Sequence, residues 1–176
     1  ACICIGMSLH GGIIAACGTF FVFSDYMKPA LRMAALMEQP VKFIWTHDAF
    51  RVGEDGPTHE PVEQEAQVRL LEKLKNHKGH NSMLVLLPAD VEETTIAWKL
   101  AMENMSTPTA LILSRQNIVN LPAGTDYSQA AKGAYIIADA DENPDVILVA
   151  SGSEVSTLVA GAELLRKEGV KVRIVS

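Results

Sequence analysis

Met83-Leu84-Val85-Leu86-Leu87-Pro88 and Thr109-Ala110-Leu111-Ile112-Leu113-Ser114 frame the segment that decides the fold. Each is a short apolar run bounded by Pro or polar residues, as a strand buried on both faces requires. Between them Asp90-Val91-Glu92-Glu93 has the outline of a capping box, with a carboxylate placed for the free N–H groups of a first helical turn. Val91, Ala97, Trp98, Ala101 and Met105 then recur at helical spacing. Strand, helix and strand over this length make a βαβ unit, and βαβ units build a parallel sheet covered by helices.

The same alternation extends in both directions. Upstream, Pro40-Val41-Lys42-Phe43-Ile44-Trp45-Thr46 reads as a strand after an Ala- and Met-rich helical stretch, Tyr26 to Met37. Pro29 lies near the start of that stretch, where its missing N–H costs least. Pro61 to Asn76 reads as a helix with Pro61 in its first turn, followed by a polar turn, His77 to Asn81. Downstream, Asn117 to Lys132 has no clean period and reads as a linker. Tyr135 to Ala138 and Val146 to Ala150 read as strands. Val155, Leu158, Val159, Ala162 and Leu165 share one helix face that Gly169 ends, and Val170 to Val175 is a last strand. The expected organisation is a first α/β domain over 1–118, a linker over 119–132, and the first βαβ unit of a second α/β domain over 133–176. About 45 residues are too few to bury such a sheet alone.

Composition narrows the function classes. The 176 residues carry 15 Lys plus Arg against 21 Asp plus Glu, a net charge of −6, with 48% hydrophobic and 20% charged residues. That balance excludes disordered and collagenous chains. No apolar run reaches the roughly 18–20 residues of a membrane span, and no basic stretch precedes an apolar one as in a signal peptide. Without a basic block the chain is not a duplex nucleic-acid binder, although one or two local cations suffice for a small anionic substrate. Cys2, Cys4 and Cys17 sit in apolar company and read as buried, reduced thiols, which suits a cytoplasmic protein. Cys2-x-Cys4 lacks zinc-knuckle spacing, and His77 and His80 have no further ligand nearby. The chain starts at Ala1 inside an apolar stretch and stops at Ser176 directly after a strand, which suggests a piece of a longer polypeptide.

The densest chemistry is Thr46-His47-Asp48-Ala49-Phe50-Arg51-Val52-Gly53-Glu54-Asp55-Gly56-Pro57-Thr58-His59-Glu60. It follows the carboxyl end of a strand, where parallel sheets bind ligands. Neither a Gly-rich phosphate loop nor a Gly-x-Ser-x-Gly elbow occurs, so P-loop and hydrolase readings lack support. Phe20, Phe23 and Tyr26, three apart, share one face that is either a core stripe or a platform for a flat heterocycle.

Thr46-His47-Asp48 with Gly53-Glu54-Asp55-Gly56-Pro57-Thr58-His59 resembles the long signature of the transketolase family. The aromatic triplet ahead of Arg32-Met33-Ala34-Ala35-Leu36, then Pro88-Ala89-Asp90, then Ser114-Arg115-Gln116-Asn117 follow in the family's order, and the resemblance runs along essentially the whole chain. It implies the later part of the parallel-sheet pyrimidine-binding domain of a thiamine diphosphate (ThDP) enzyme, followed by the start of the carboxy-terminal domain. It also implies ketol transfer from a ketose phosphate to an aldose phosphate in the pentose phosphate pathway, by a homodimer with sites between subunits. On that likeness Phe20, Phe23 and Tyr26 surround the aminopyrimidine, with Phe23 stacking. His47 and Arg115 hold a substrate phosphate, Asp55 reads a hydroxyl of the donor ketose, and His59 stands beside the reacting carbons. All four should meet at the carboxyl edge of the sheet.

The resemblance places the family's cofactor-activating glutamate just upstream of Ala1, and assigns the diphosphate and its Mg or Ca ion to a domain outside this chain. Asp55-Gly56 belongs to the sugar-binding signature, not to a metal motif. Ala49-Phe50-Arg51 is bulkier than the family's usual residues there, and Lys73 to Ser82 is longer. This chain by itself is expected to be inactive. The alternatives are another ThDP enzyme, such as a deoxyxylulose phosphate synthase, or a non-catalytic binding or dimerisation module.

Overall fold

The computed structural model describes every residue except Asp141 and Glu142. The chain forms two compact units, one of 1–86 with 98–116 and the other of 87–97 with 117–176.

In the first unit, helix α1 (Cys2–His10) leads to strand β1 (Ala16–Phe20), a 3-10 turn (Phe21–Met27) and helix α2 (Lys28–Leu36). Strand β2 (Lys42–Thr46), helix α3 (Gln64–Lys73), strand β3 (Leu84–Leu86), helix α4 (Val91–Glu103), of which only residues from Trp98 on belong to this unit, and strand β4 (Thr109–Ile112) follow. The four strands lie in the order β1-β2-β4-β3, every neighbouring pair parallel. Val41, Phe43, Trp45, Ala110 and Leu111 are fully buried, which accounts for the unbroken apolar runs. Pro29 does sit in the first turn of α2. Pro61 does not open α3, which starts at Gln64, where the Gln64 side chain accepts a hydrogen bond from Val62 N at 2.7 Å.

Lys42 is the exception in this core. It lies on β2 with no exposed surface, and its Nζ donates to the Asn104 carbonyl at 2.6 Å. Burial pushes its pKa down to about 8.

In the second unit β6 (Val146–Val149), α5 (Val155–Lys167) and β7 (Val172–Val175) make the expected βαβ crossover with parallel strands. A third strand, β5 (Ile136–Ala138), pairs antiparallel to β7. Ala89, Leu121, Tyr135, Ile137, Val155 and Ile174 belong to one buried cluster. The capping box takes a modified form. Asp90 Oδ1 accepts from Glu93 N at 2.9 Å, but Glu93 reaches back to Ala89 N at 2.7 Å rather than to the N–H of Asp90. The other carboxylate oxygens are also engaged: Asp90 takes Leu121 N and the Tyr127 hydroxyl, and Glu93 takes the hydroxyls of Tyr135 and Ser176.

The thiols depart from the sequence expectation. All three are free, but Cys2 is exposed and Cys4 and Cys17 are only partly covered. Their helix and edge strand are not packed on both faces, so apolar neighbours in sequence do not become a closed core around them. Among the described residues no helix is long and apolar enough to cross a membrane.

Candidate active site

Strands β1, β2 and β4 run parallel and side by side, so the loops leaving their carboxyl ends emerge on one edge. Trp45 on β2 is in register with Ile112 on β4. Two further bonds carry the pairing past the strand ends: Leu113 N to Trp45 O at 2.7 Å, and Asp48 N to Leu113 O at 3.2 Å. His47 and Arg115 therefore leave the sheet as neighbours.

Their partners are acidic. Arg115 Nε lies 2.8 Å from Asp55 Oδ2, and Arg115 NH2 donates to Glu54 Oε1 at 2.9 Å. His47 Nε2 stands 3.7 Å from the same Asp55 Oδ2. A short 3-10 turn, Gly53–Asp55, presents both carboxylates; Gly53 and Gly56 on its flanks adopt φ of +75°, open to glycine at little cost. His47 and Arg51 have positive φ as well, 62° and 61°, which is strained for residues with a side chain. Val52 is buried and pins the loop, and the Arg51 guanidinium covers the Phe50 ring at 4.9 Å, so the bulky Ala49-Phe50-Arg51 stretch packs on itself.

The aromatic triplet lies beside this cluster. Phe20 ends β1, and Phe23 and Tyr26 follow on the 3-10 turn, whose three-residue period stacks positions i and i+3 on one side. Phe21 and not these three enters the core: Tyr26 is 85% exposed, and Phe20 and Phe23 are half-buried. The three rings are therefore not a closed core stripe: one is exposed and two are half-buried. Phe20 stacks on His47 with centroids 3.7 Å apart and on Phe23 at 6.0 Å. His59 stands edge-on to Phe20 and Phe23 at 5.8 and 5.4 Å. Asp25 holds the turn in place, pairing with Lys28 at 2.7 Å and accepting from Gln64 of α3 at 2.9 Å. The Lys28 bond, then that of Gln64, holds its carboxyl below the usual range.

His47, Asp55 and Arg115 thus form one polar cluster, and His59 joins it through the aromatic rings. Glu54 was not singled out from sequence, nor were the threonines that share hydrogen bonds with the two histidines. Thr46 and Thr58 each bond Nδ1 of the following imidazole at 2.9 Å, which orients the ring and leaves Nε2 for other contacts. The repeated Thr-His dipeptide is the signal that carries this.

A parallel sheet with a guanidinium, two imidazoles, two carboxylates and an aromatic face at its carboxyl edge defines an α/β domain of the class that binds small polar ligands at its strand ends. The family described as the pyrimidine-binding domain of transketolase matches residues 1–120, and that of the transketolase-like C-terminal domain matches residues 133–176. Transketolase of Halalkalibacterium halodurans is 51% identical over 97% of this chain and 25% of that protein. The solved transketolase of Leishmania mexicana is 41% identical with a TM-score of 0.84, over 99% of this chain and 24% of that one. Transketolase of Pichia stipitis, solved in complex with sedoheptulose 7-phosphate, is 40% identical with a TM-score of 0.79, over 92% of this chain and 22% of that one. The chain belongs to the transketolase family. It spans about a quarter of the length of the relatives it matches.

Proposed function

We propose that this chain supplies half of a ThDP pocket and several sugar-phosphate contacts to a ketol-transferring enzyme of the pentose phosphate pathway. The observation that carries the reading is the meeting of His47, Asp55, His59 and Arg115 beside a row of aromatic rings. Arg115 offers a planar fork of N–H donors suited to a phosphate, and His47 adds another donor next to it. Asp55, acceptor-only when ionised, reads a hydroxyl of the donor ketose. His59 has Nδ1 engaged by Thr58, so Nε2 is the atom that hydrogen-bonds substrate hydroxyls and moves protons near the reacting carbons.

Phe20 and Phe23, half-buried, and Tyr26, exposed, lie in sequence along one side of the turn, and such a row of rings suits a flat heterocycle. When bound, ThDP supplies the carbanion-stabilising chemistry of the two-carbon transfer. The reading assigns the cation and the diphosphate to a domain of the enzyme outside this chain. The same reading makes 1–118 and 133–176 parts of two domains joined by a linker, in a cytoplasmic homodimer.

A chimera tests it. This chain replaces the matching quarter of the H. halodurans transketolase, and ketol transfer is followed from sedoheptulose 7-phosphate to an aldose phosphate. Turnover that is lost in the chimera with His59→Ala is the expected result, and the 176-residue chain alone should show none. A folded chimera without turnover, or turnover by the isolated chain, refutes the reading.

A further inference from the structure

The hairpin between α3 and β3 is unusually well built for a surface turn. Lys75 and Asn81 form an antiparallel bridge, and Asn76 N donates to His80 O at 2.8 Å. Asn76 Oδ1 accepts from Lys78 N at 3.0 Å and His80 N at 2.9 Å, while both N and Oγ of Ser82 donate to Leu74 O. With α2 and α3, this hairpin encloses a cavity of about 330 Å³. Because α2 leads into β2 and the hairpin into β3, the cavity lies at the amino-terminal side of the parallel sheet, opposite the loops of the candidate active site.

Its chemistry is one-sided. Leu36, Leu71 and Leu74 supply apolar walls, and Leu36 and Leu74 are each 51% exposed. Three bases line it, Arg32, Lys75 and His77, and no acid among the described residues does, in a chain whose net charge is −6. Lys75 Nζ is spent on Asn81 Oδ1 at 2.7 Å. Neither Arg32 nor His77 meets a carboxylate among the described residues. Asn76 also lines the cavity. Its oxygen is fully used by the hairpin, and its Nδ2, shielded from solvent, finds no acceptor among the described residues. Asn76 Nδ2 and the exposed Arg32 guanidinium can only donate, and the exposed His77 imidazole donates through at least one nitrogen.

We propose that this cavity is a binding site for a small organic anion with an apolar body, an aryl or short alkyl phosphomonoester or carboxylate. The apolar walls take the body, and Arg32 and His77 take the charged head. The volume suits a ligand of that size, and the site is independent of the ketol-transfer reading.

Phenyl phosphate and benzoate titrated into the ¹⁵N-labelled 176-residue chain test this by NMR, with inorganic phosphate and benzyl alcohol as the charged and apolar halves alone. Saturable shifts are expected at the amides of Leu36 and of Leu74 to His77 with at least one of the two organic anions, and which one responds separates phosphomonoester from carboxylate. Each half alone should bind about tenfold more weakly, and Arg32→Gln should weaken the anion by about tenfold. His77→Gln, on the exposed hairpin, gives a second reading if Arg32→Gln fails to fold. Absence of saturation, equal binding of inorganic phosphate, shifts confined to the His47 and Arg115 loops, or wild-type affinity in both variants would each overturn the proposal.

Discussion

Arg115 Nε and Asp55 Oδ2 stand 2.8 Å apart, and Glu54 Oε1 reaches the same guanidinium at 2.9 Å from 61 positions away in sequence. The cation proposed to hold a phosphate is therefore already engaged by two carboxylates. They differ in how firmly they are held. The Asp55 side chain is 27% exposed and shared with His47, whereas that of Glu54 is 86% exposed. An incoming anion displaces Glu54 more cheaply than Asp55.

Replacing Glu54 by Gln should raise the affinity of Arg115 for an anion. Exposed ion pairs contribute about 0.2–1 kcal/mol, so releasing one competitor amounts to a gain of about 1.4- to fivefold. Calorimetric titration of the chimera with a sugar phosphate reads it, and an unchanged affinity contradicts the competition.

Arg115→Ala should act in the opposite direction. Loss of a charge-assisted contact weakens phosphate-bearing substrates by about ten- to a hundredfold. Unfolding midpoints should barely move, because the Arg115 pairs are solvent-accessible. An equal loss toward a donor without phosphate removes Arg115 from the assigned role.

Glu93→Ala should be among the most damaging single changes. It strips the acceptor from Ala89 N, the Tyr135 hydroxyl and the Ser176 hydroxyl in one buried spot. We expect a loss of about 3–5 kcal/mol in urea unfolding, with Glu93→Gln costing less because it keeps one acceptor oxygen. A change within 0.5 kcal/mol, as is about usual for surface positions, would show that the network carries little.

Two tyrosines set an alkaline limit. Burial first, then hydrogen bonds to Glu93 and Asp90 respectively, pushes the phenols of Tyr135 and Tyr127 well above their ordinary value of 10. Above that value the unfolded chain releases these protons before the folded one does. The folded state then binds more protons, and stability falls as pH rises. Absorbance titration of phenolate should show two of the three tyrosines ionising only together with unfolding.

Lys42 works with the other sign. Its folded pKa of about 8 lies below its ordinary 10.5, so between those values the unfolded chain holds more protons and stability rises with pH. Lys42→Met should stabilise the chain by about 1–3 kcal/mol below pH 8 and flatten that slope. Denaturant midpoints measured from pH 7 to 10.5 decide it.

The elements that sequence made legible were those with an apolar run or a local period: α2, β2, β3, α4, β4, β5, β6, α5 and β7, and βαβ spacing alone required the parallel four-stranded sheet. α1 and β1 were not legible. β1 reads Ala-Cys-Gly-Thr-Phe, short and small at a sheet edge, and offers too few large residues for a pattern. Pro61 resembles a first-turn residue and so extends α3 as read from sequence, while the Gln64 side-chain oxygen, accepting from Val62 N, marks the start of the helix. The exposure of the thiols is not legible for the reverse reason: apolar neighbours in sequence say nothing about whether a second layer covers them.

Sequence by itself thus determined most of the strands and helices, that the four-stranded sheet is parallel, and that the chemistry-bearing loop follows a strand end. All of these follow from short-range periodicity and from the reach of a crossover connection. Only the tertiary structure decided that Arg115 meets Asp55 and Glu54, that Lys42 enters the core, and that Asp90 and Glu93 gather two tyrosines. Those contacts depend on strand order and register, on β2 lying against β4 with Trp45 opposite Ile112. Order and register are set by the packing of the whole sheet, because each strand's pattern fixes which faces are buried but not which neighbour lies alongside.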